Sequence, residues 1–439
     1  MYTIFLEKII LPIGDWLNGG SFVKKLKYWR QIDLLDEEDL EILQADNLKL
    51  LLKHAIDKTK FYQNIEFKGN SPNEWLQNFP ILSKNDLRER TDQLLATSKK
   101  ELTKISSSGS SGISSSVYMD KNDLASLRAG LVHWWEWSGY KMGCKVVQTG
   151  ISPNRGLLKN IKDFLFQTIY VNAFSHDEAQ IISVLNKIKQ KNYILIGYAS
   201  SLNVFAEVAL KHNFKIRLKA CISLGDKLFD HYRKNISNTF HCTIQDTYGS
   251  AEGFLISSQL DLDYSYILSP QVYVEILDDD NNAVPDGELG HVVVTRLDGF
   301  AMPLIRYKIG DLAIKLPKEK YPKNRKFQYP LLQKVIGRDT DIVKTNNGKT
   351  LVVHSFTGIF EYIPEIKQFK IIQNSIEGIE ILIVKGEDFS DGVVEETRKK
   401  ISVLIGSEDF SINFEIVQKI EPTKSGKPQI IESNLNEKK

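Results

Sequence analysis

The densest compositional anomaly in the chain is a run of hydroxyls and glycines, Ser106-Ser-Ser-Gly-Ser-Ser-Gly-Ile-Ser-Ser-Ser116. Gly109 and Gly112 let backbone N–H groups approach an anion closely, and Ser107, Ser108, Ser110 and Ser111 offer further donors, a chemistry suited to a polyphosphate. The run lacks the Gly-Lys-Ser/Thr ending of a Walker loop. The same composition reads equally well as a flexible linker. A second element, Gln245-Asp-Thr-Tyr-Gly-Ser-Ala-Glu-Gly253, sets Tyr248, Gly249 and Ser250 at a strand end, where an aromatic face can lie against a flat base. Glu252 is a hard oxygen donor of the kind Mg²⁺ takes. Taken alone, a turn with a surface glutamate is the plainer reading.

A third element is Pro303-Leu-Ile-Arg-Tyr-Lys-Ile-Gly-Asp311. Asp311, after a glycine turn, is placed to accept hydrogen bonds from a ribose diol, and Arg306 to meet phosphate bidentately. A hairpin turn with a satisfied surface pair is the alternative. Ile336-Gly-Arg-Asp-Thr-Asp-Ile-Val-Lys-Thr-Asn-Asn-Gly-Lys349 reads as a charged strand–turn–strand opening a last domain. The tail Glu421-Pro-Thr-Lys-Ser-Gly-Lys-Pro puts Lys427 on a Ser-Gly loop, as a mobile point charge or as part of a solvated basic tail.

These residues need elements to position them. Asp36 caps a helix with Leu48, Leu51, Leu52, Ala55 and Ile56 at helical spacing. Leu82-Ser-Lys-Asn-Asp-Leu opens another. From Lys145 to about residue 250 strands alternate with helices, which indicates an α/β sheet with crossovers. Strands around Tyr273–Leu277 and His291–Arg296, joined by an Asp/Asn-rich turn, are expected to pair antiparallel. Residues 338–439 read as a small α+β unit. The aromatic cluster His133-Trp-Trp-Glu-Trp137 is expected to be core, with an acyl pocket as the second reading. Pro317 to Tyr329, rich in lysine, is expected to be an exposed insertion, with a docking site for an anionic partner as the second reading.

Composition narrows the class. The 439 residues are 42% hydrophobic and 26% charged, ordinary for a globular protein. A formal charge of +2 carries no field that would recruit nucleic acid. Cys144, Cys221 and Cys242, odd in number and far apart in sequence, argue against a disulfide framework or zinc ribbon and for a reducing compartment. Ile4 to Trp16 is amphipathic. A helix packed on the body is the expectation, and peripheral membrane contact the alternative. With no stretch long enough to span a bilayer and no signal-peptide pattern, a cytoplasmic protein is expected.

The order of these segments resembles that of the adenylate-forming superfamily of acyl-CoA ligases, luciferases and peptide-synthetase adenylation domains. Phe61-Tyr62 and Met302-Pro-Leu-Ile-Arg-Tyr resemble the phenylacetate–CoA ligase-like branch and its CapK-type capsular polysaccharide biosynthesis proteins. The resemblance implies a fold: an adenylate-forming domain over residues 1–337, with a helical leader 1–100 and an ATP-binding core 101–337, followed by a mobile C-terminal lid over 338–439. It implies ATP and Mg²⁺, a small-molecule carboxylic acid as substrate, and CoA or an amine as acceptor. A scaffold that kept the fold without the catalysis is a further reading.

By the same resemblance Ser107 to Gly112 form the phosphate loop and Tyr248, with Gly249 and Ser250, lies against adenine. Glu252 holds Mg²⁺, Asp311 binds the ribose hydroxyls, Arg338 sits at the junction with the lid, and Lys427 contacts the reacting carboxylate and α-phosphate. Two places depart from the family pattern. Ser114 and Ser115 stand where Pro-Lys is usual, and Thr340 stands at a hinge position normally acidic or Lys.

Overall fold

The computed structural model describes residues 2–17, 19–106, 116–150, 162–173, 177–189, 192–338, 341–360, 363, 365–386, 388–421 and 430–435. The expectations for Ser107, Ser108, Gly109, Ser110, Ser111, Gly112, Ser114, Ser115, Thr340 and Lys427 lie outside the described residues.

The leader is helical, as its periodicity requires. Helix Glu37–Lys58 starts where the Asp36 carboxylate accepts the Asp39 N–H, and it buries Leu40, Leu48, Leu51, Leu52 and Ala55. Helix Lys84–Glu89 opens on a reciprocal capping box between Ser83 and Asp86. Strands β1 (Thr103–Ser106) and β2 (Ser116–Met119) then pair antiparallel, with Ser106 opposite Ser116, so the two ends of the Ser/Gly run are held side by side.

Among the described residues, eleven strands form the main sheet. They are β3 (Val146–Gly150), β4 (Thr168–Asn172), β5 (Ile194–Gly197), β6 (Ala220–Ser223), β7 (Ile244–Ser250), β8 (Phe254–Gln259), β9 (Ser265–Ile267), β10 (Val272–Leu277), β11 (Leu289–Arg296), β12 (Tyr307–Lys315) and β13 (Leu331–Arg338). Their order is β10-β11-β12-β13-β9-β8-β7-β6-β5-β3-β4. From β4 to β7 neighbours run parallel, and from β7 to β10 they run antiparallel.

The parallel half is buried on both faces. Val147, Leu195 and Cys221 pack under helices Glu178–Ile188, Ala199–Lys211 and Asp230–Phe240. Their chain neighbours Val146, Ile194, Ile196 and Ile222 pack on the other side with Tyr140, Met142 and Leu6. Alternation between two apolar layers is why these strands read as unbroken apolar runs. The free thiols of Cys221 and Cys242, distant in sequence, face each other at 3.6 Å across this layer.

The cluster at residues 133–137 is core, as expected: His133 and Trp134 are each 1% exposed. Asp33 ties it together, accepting from His133 Nε2, the Tyr329 hydroxyl and the Trp137 indole N–H at 2.9–3.0 Å. The 317–329 stretch is not simply an exposed insertion. Lys318 pairs with Glu37 and Glu41, and Arg325 with Glu37, while Phe327 and Tyr329 are buried against Trp137. Its charges clasp the leader helix to the sheet.

Beyond Arg338 lie β14 (Ile342–Lys344) and β15 (Thr350–Val352), a hairpin, then helix Val353–Phe360. A four-stranded sheet follows, ordered β18 (Ser411–Ile416), β17 (Gly378–Lys385), β16 (Ile366–Ser375), β19 (Ile431–Ser433), with helix Asp391–Ile405 packed on it. Val343, Phe356, Ile371, Ile381, Ile401 and Ile431 share one core. The expected strand–turn–strand from Ile336 is therefore divided. Ile336–Arg338 closes β13 of the main sheet, and only the part from Ile342 makes the hairpin.

Candidate active site

Tyr248 stands on β7, at the change from parallel to antiparallel pairing. The strand runs on to Ser250 rather than ending at the Tyr-Gly pair. Gly249 is required there, because a Cβ would lie 2.4 Å from the carbonyl oxygen of Phe254 on β8. A register shift between Tyr248 and Gly249 turns the ladder at this point. The tip that follows, Ala251–Gly253, carries Glu252. That side chain is buried and accepts from the Tyr307 hydroxyl at 3.2 Å, while the Tyr307 ring stacks on Phe254.

Asp311 sits inside β12 rather than after a turn. His291 pairs with Leu312 and Val293 with Lys308, so β12 carries two extra residues across this step. Gly310 adopts φ +83° in the resulting bulge, a conformation glycine adopts without strain. The Asp311 carboxylate accepts from the Tyr248 hydroxyl through Oδ2 at 2.8 Å and lies 3.3 Å from Arg338 Nε through Oδ1. Asp311 and Arg338 are also cross-strand partners on β12 and β13.

The strands of Tyr248 and Asp311 are separated in the sheet by β8, β9 and β13. Four steps of about 4.8 Å in a flat sheet would hold the two residues roughly 19 Å apart, beyond the reach of both side chains. The sheet must therefore curl, and the three-residue β9, which meets β13 only near Leu331 and Leu332, leaves the other end of β13 free to lean toward β7. Lys227, on the loop after β6, donates to the carbonyl of Ile336 at 2.9 Å and fastens that end. Thr247 donates to the carbonyl of Ser223, tying β7 to β6 just below.

The electrostatics of this corner are set by Asp311, Asp341, Glu252 and the Arg338 guanidinium. Burial, and then the neighbouring Asp311 carboxylate, push the Tyr248 phenol well above its ordinary value, so it is a neutral donor. Burial alone would lower the Arg338 guanidinium, but the charges of Asp311, Asp341 and Glu252 hold it above its ordinary value. The Ser250 hydroxyl is buried with no hydrogen-bond partner among the described residues. Among those residues no group of three or more His, Cys, Asp or Glu side chains converges as a metal site. A single carboxylate such as Glu252, completed by phosphate oxygens, is nonetheless how Mg²⁺ is commonly held.

One sequence-based assignment is corrected. Arg306 does not face the site. It is buried, donates to both oxygens of Glu275 at 3.2 and 3.0 Å, and donates from Nη1 to the carbonyl of Phe79. Gln77 shares Glu275, and the Leu82 N–H donates to the Arg306 carbonyl, so this residue keys the helical leader to β12. The structure thus brings Tyr248, Ser250, Glu252, Asp311 and Arg338 to one corner and turns Arg306 inward. Tyr307 and Lys227 were missed by sequence reasoning. Tyr307 was legible as part of the Arg-Tyr-Lys-Ile-Gly-Asp run, whereas Lys227 carries no local signal.

Comparison with known proteins bears on the fold. Residues 343–434 match the family model of the CapK C-terminal domain. Protein CapK of Staphylococcus aureus is 23% identical over 95% of this chain and 96% of its own length. The phenylacetate-coenzyme A ligase of Pseudomonas putida is 28% identical over 68% of this chain and 71% of its own. Among solved structures, a 2-hydroxyisobutyryl-CoA ligase in the postadenylation state superposes with a TM-score of 0.73 at 17% identity, over 92% of each chain. Fold, motif order and relatives converge on one likeness: the chain is similar to Protein CapK and to the phenylacetate-coenzyme A ligases, and its fold is that of the solved CoA ligase.

Proposed function

We propose that this protein is an ATP-dependent, AMP-forming ligase that activates a small carboxylic acid as its acyl-adenylate and passes the acyl group to CoA. The meeting of Tyr248 and Asp311 beside Arg338 is the observation that carries the reading, because it makes a corner that suits a ribose under a flat base. Asp311 accepts the ribose hydroxyls, the Tyr248 ring lies against adenine, and the unpartnered Ser250 hydroxyl donates to the ligand. Glu252, oriented by Tyr307, holds Mg²⁺, which when bound offsets negative charge on the phosphates.

The reaction is an in-line displacement. A carboxylate oxygen of the acid attacks the α-phosphorus and pyrophosphate leaves. The thiol of CoA then attacks the acyl carbonyl of the mixed anhydride, giving the thioester and releasing AMP and the thiol proton. Lys427, four positions before β19, supplies a cation to the α-phosphate oxygens in the transition state. Residues 338–439 act as a lid hinged near Arg338 that carries this lysine in for adenylation and out for thioester formation. The Ser107 to Gly112 run, its ends held by β1 and β2, cradles the β- and γ-phosphates. The resemblance to CapK-type proteins supports a place in surface polysaccharide biosynthesis, in the cytoplasm where ATP and CoA are available.

ATP–pyrophosphate exchange with a panel of carboxylic acids tests the reading. Acid-dependent exchange supports a catalyst. No exchange with any acid, alongside retained ATP binding, marks a scaffold that kept the fold. Adenylate consumption by CoA but not by amines separates thioester from amide formation.

A further inference from the structure

Residues 2–17 form a nearly continuous helix that the proposed activity leaves without a role. It runs Tyr2–Phe5, widens to a π-turn over Leu6–Ile10, and resumes as Leu11–Leu17. Pro12 has no N–H and its ring crowds the carbonyl four residues back, which accounts for the widened turn. The helix is anchored by Leu6, which is buried against the main sheet, and by Tyr2, whose hydroxyl donates to the carbonyl of Leu165 at 2.6 Å.

The expectation of a helix packed on the body holds for one face, where Leu6 is buried and Leu11 half-buried against the sheet. Ile4, Phe5, Ile9, Ile13, Trp16 and Leu17 are exposed, Trp16 by 78% and Leu17 by 69%. The segment joined to Tyr2 extends the patch, since Phe164 is 82% exposed. Isolated exposed apolar residues are ordinary, but a contiguous set of this kind marks an interaction surface.

Charge selects the partner. Between residues 2 and 30 the only acids are Glu7 and Asp15. Glu7 is paired with Arg30, and Asp15 accepts the backbone N–H groups of Phe22 and Val23. Those bonds set the start of helix Phe22–Ile32 close behind Asp15 and Trp16 in the chain, and Lys8, Lys24 and Lys27 are exposed on these two helices. We propose that this face docks on an anionic bilayer surface. The helix lies in the interface plane, its apolar side chains enter the headgroup boundary, Trp16 and Tyr2 sit at headgroup level, and the lysines meet lipid phosphates. No helix of the described residues is long and apolar enough to cross a membrane. A second copy of the chain is a poorer occupant, because a two-fold contact would gather the lysines of both copies into one interface.

Co-sedimentation of the full chain with phosphatidylcholine vesicles, with and without added phosphatidylglycerol, tests the proposal. The chain should pellet with the anionic vesicles, and less so as salt rises. Ile13→Ser/Trp16→Ser/Leu17→Ser should lower the vesicle partition coefficient at least about tenfold. Its thermal midpoint and vesicle-free pyrophosphate exchange should not change, since these side chains are exposed and far in sequence from the site. Lys24→Glu/Lys27→Glu should weaken binding to anionic vesicles specifically. Wild-type protein left in the supernatant with anionic vesicles, or a triple variant that binds as wild type does, overturns the proposal. So does a dimer in sedimentation equilibrium that the triple variant abolishes, which would assign the face to a second copy.

Discussion

The Tyr248 hydroxyl donates to the Asp311 carboxylate at 2.8 Å although three strands of the sheet stand between the two residues. The contact is made by curling, by the bulge at Gly310 and by the shortness of β9, none of which is a local feature. It also sets the most direct test of the site. Asp311→Ala should raise the KM for ATP in pyrophosphate exchange by about 10–100-fold, the scale of losing hydrogen bonds to a charged acceptor. Tyr248→Phe keeps the ring and should cost only a few-fold. Equal, small effects from both would remove the ribose from this corner.

Lys427→Ala should slow adenylation by about 10²–10³-fold, the cost of losing one transition-state donor. The rate at which preformed acyl-adenylate is consumed by CoA should change little. Stopped-flow or quenched measurement of the two half-reactions distinguishes them, and equal loss in both would contradict a lysine that serves one step.

Arg306 should matter for folding and not for nucleotide. Arg306→Met leaves Glu275 buried and unpaired, a change that costs roughly 3–5 kcal/mol. The double change Arg306→Met/Glu275→Leu should recover most of that, because a packed apolar pair can replace a buried ion pair. Urea unfolding gives the stabilities. An elevated KM for ATP in a fully folded Arg306 variant would return this residue to the phosphate.

Acid stability carries a signature of Asp123. This carboxylate, 1% exposed, accepts the N–H groups of Phe300 and Ala301, and burial, against the pull of Arg296, pushes it up to about 6. Its native value lies above the unfolded one, so the folded state holds the proton more tightly. That contribution is complete below the unfolded value near 3.8 and is lost as pH rises through about 6. Asp246, pushed up to about 6 by burial, acts in the same direction. Urea unfolding from acid to neutral pH should show Asp123→Asn removing roughly 2–3 kcal/mol of this slope. An unchanged slope would mean that the ionised side chain is solvated.

The elements were legible in the sequence wherever the signal is local. Asp36 and Ser83 cap their helices because a side chain three residues away is enough to satisfy an orphan N–H. The parallel strands betray themselves as apolar runs because both their faces are covered. The order of Tyr248, Glu252, Asp311 and Arg338 along the chain pointed to a family before any contact between them was known.

What tertiary structure decided is where each side chain is directed. Arg306 and Asp311 lie in one short run, yet the carboxylate meets Tyr248 of β7 while Glu275, reached across the sheet, draws the guanidinium inward. Lys318 and Arg325 read as a solvated face until Glu37 and Glu41 of the leader helix are brought to them. Which face of the helix at residues 2–17 meets the body follows from the fit of Leu6 against the sheet. Periodicity and capping act over a few residues and can be read along the chain. Curl, bulge and cross-sheet pairing join residues hundreds of positions apart, so only the folded chain determines them.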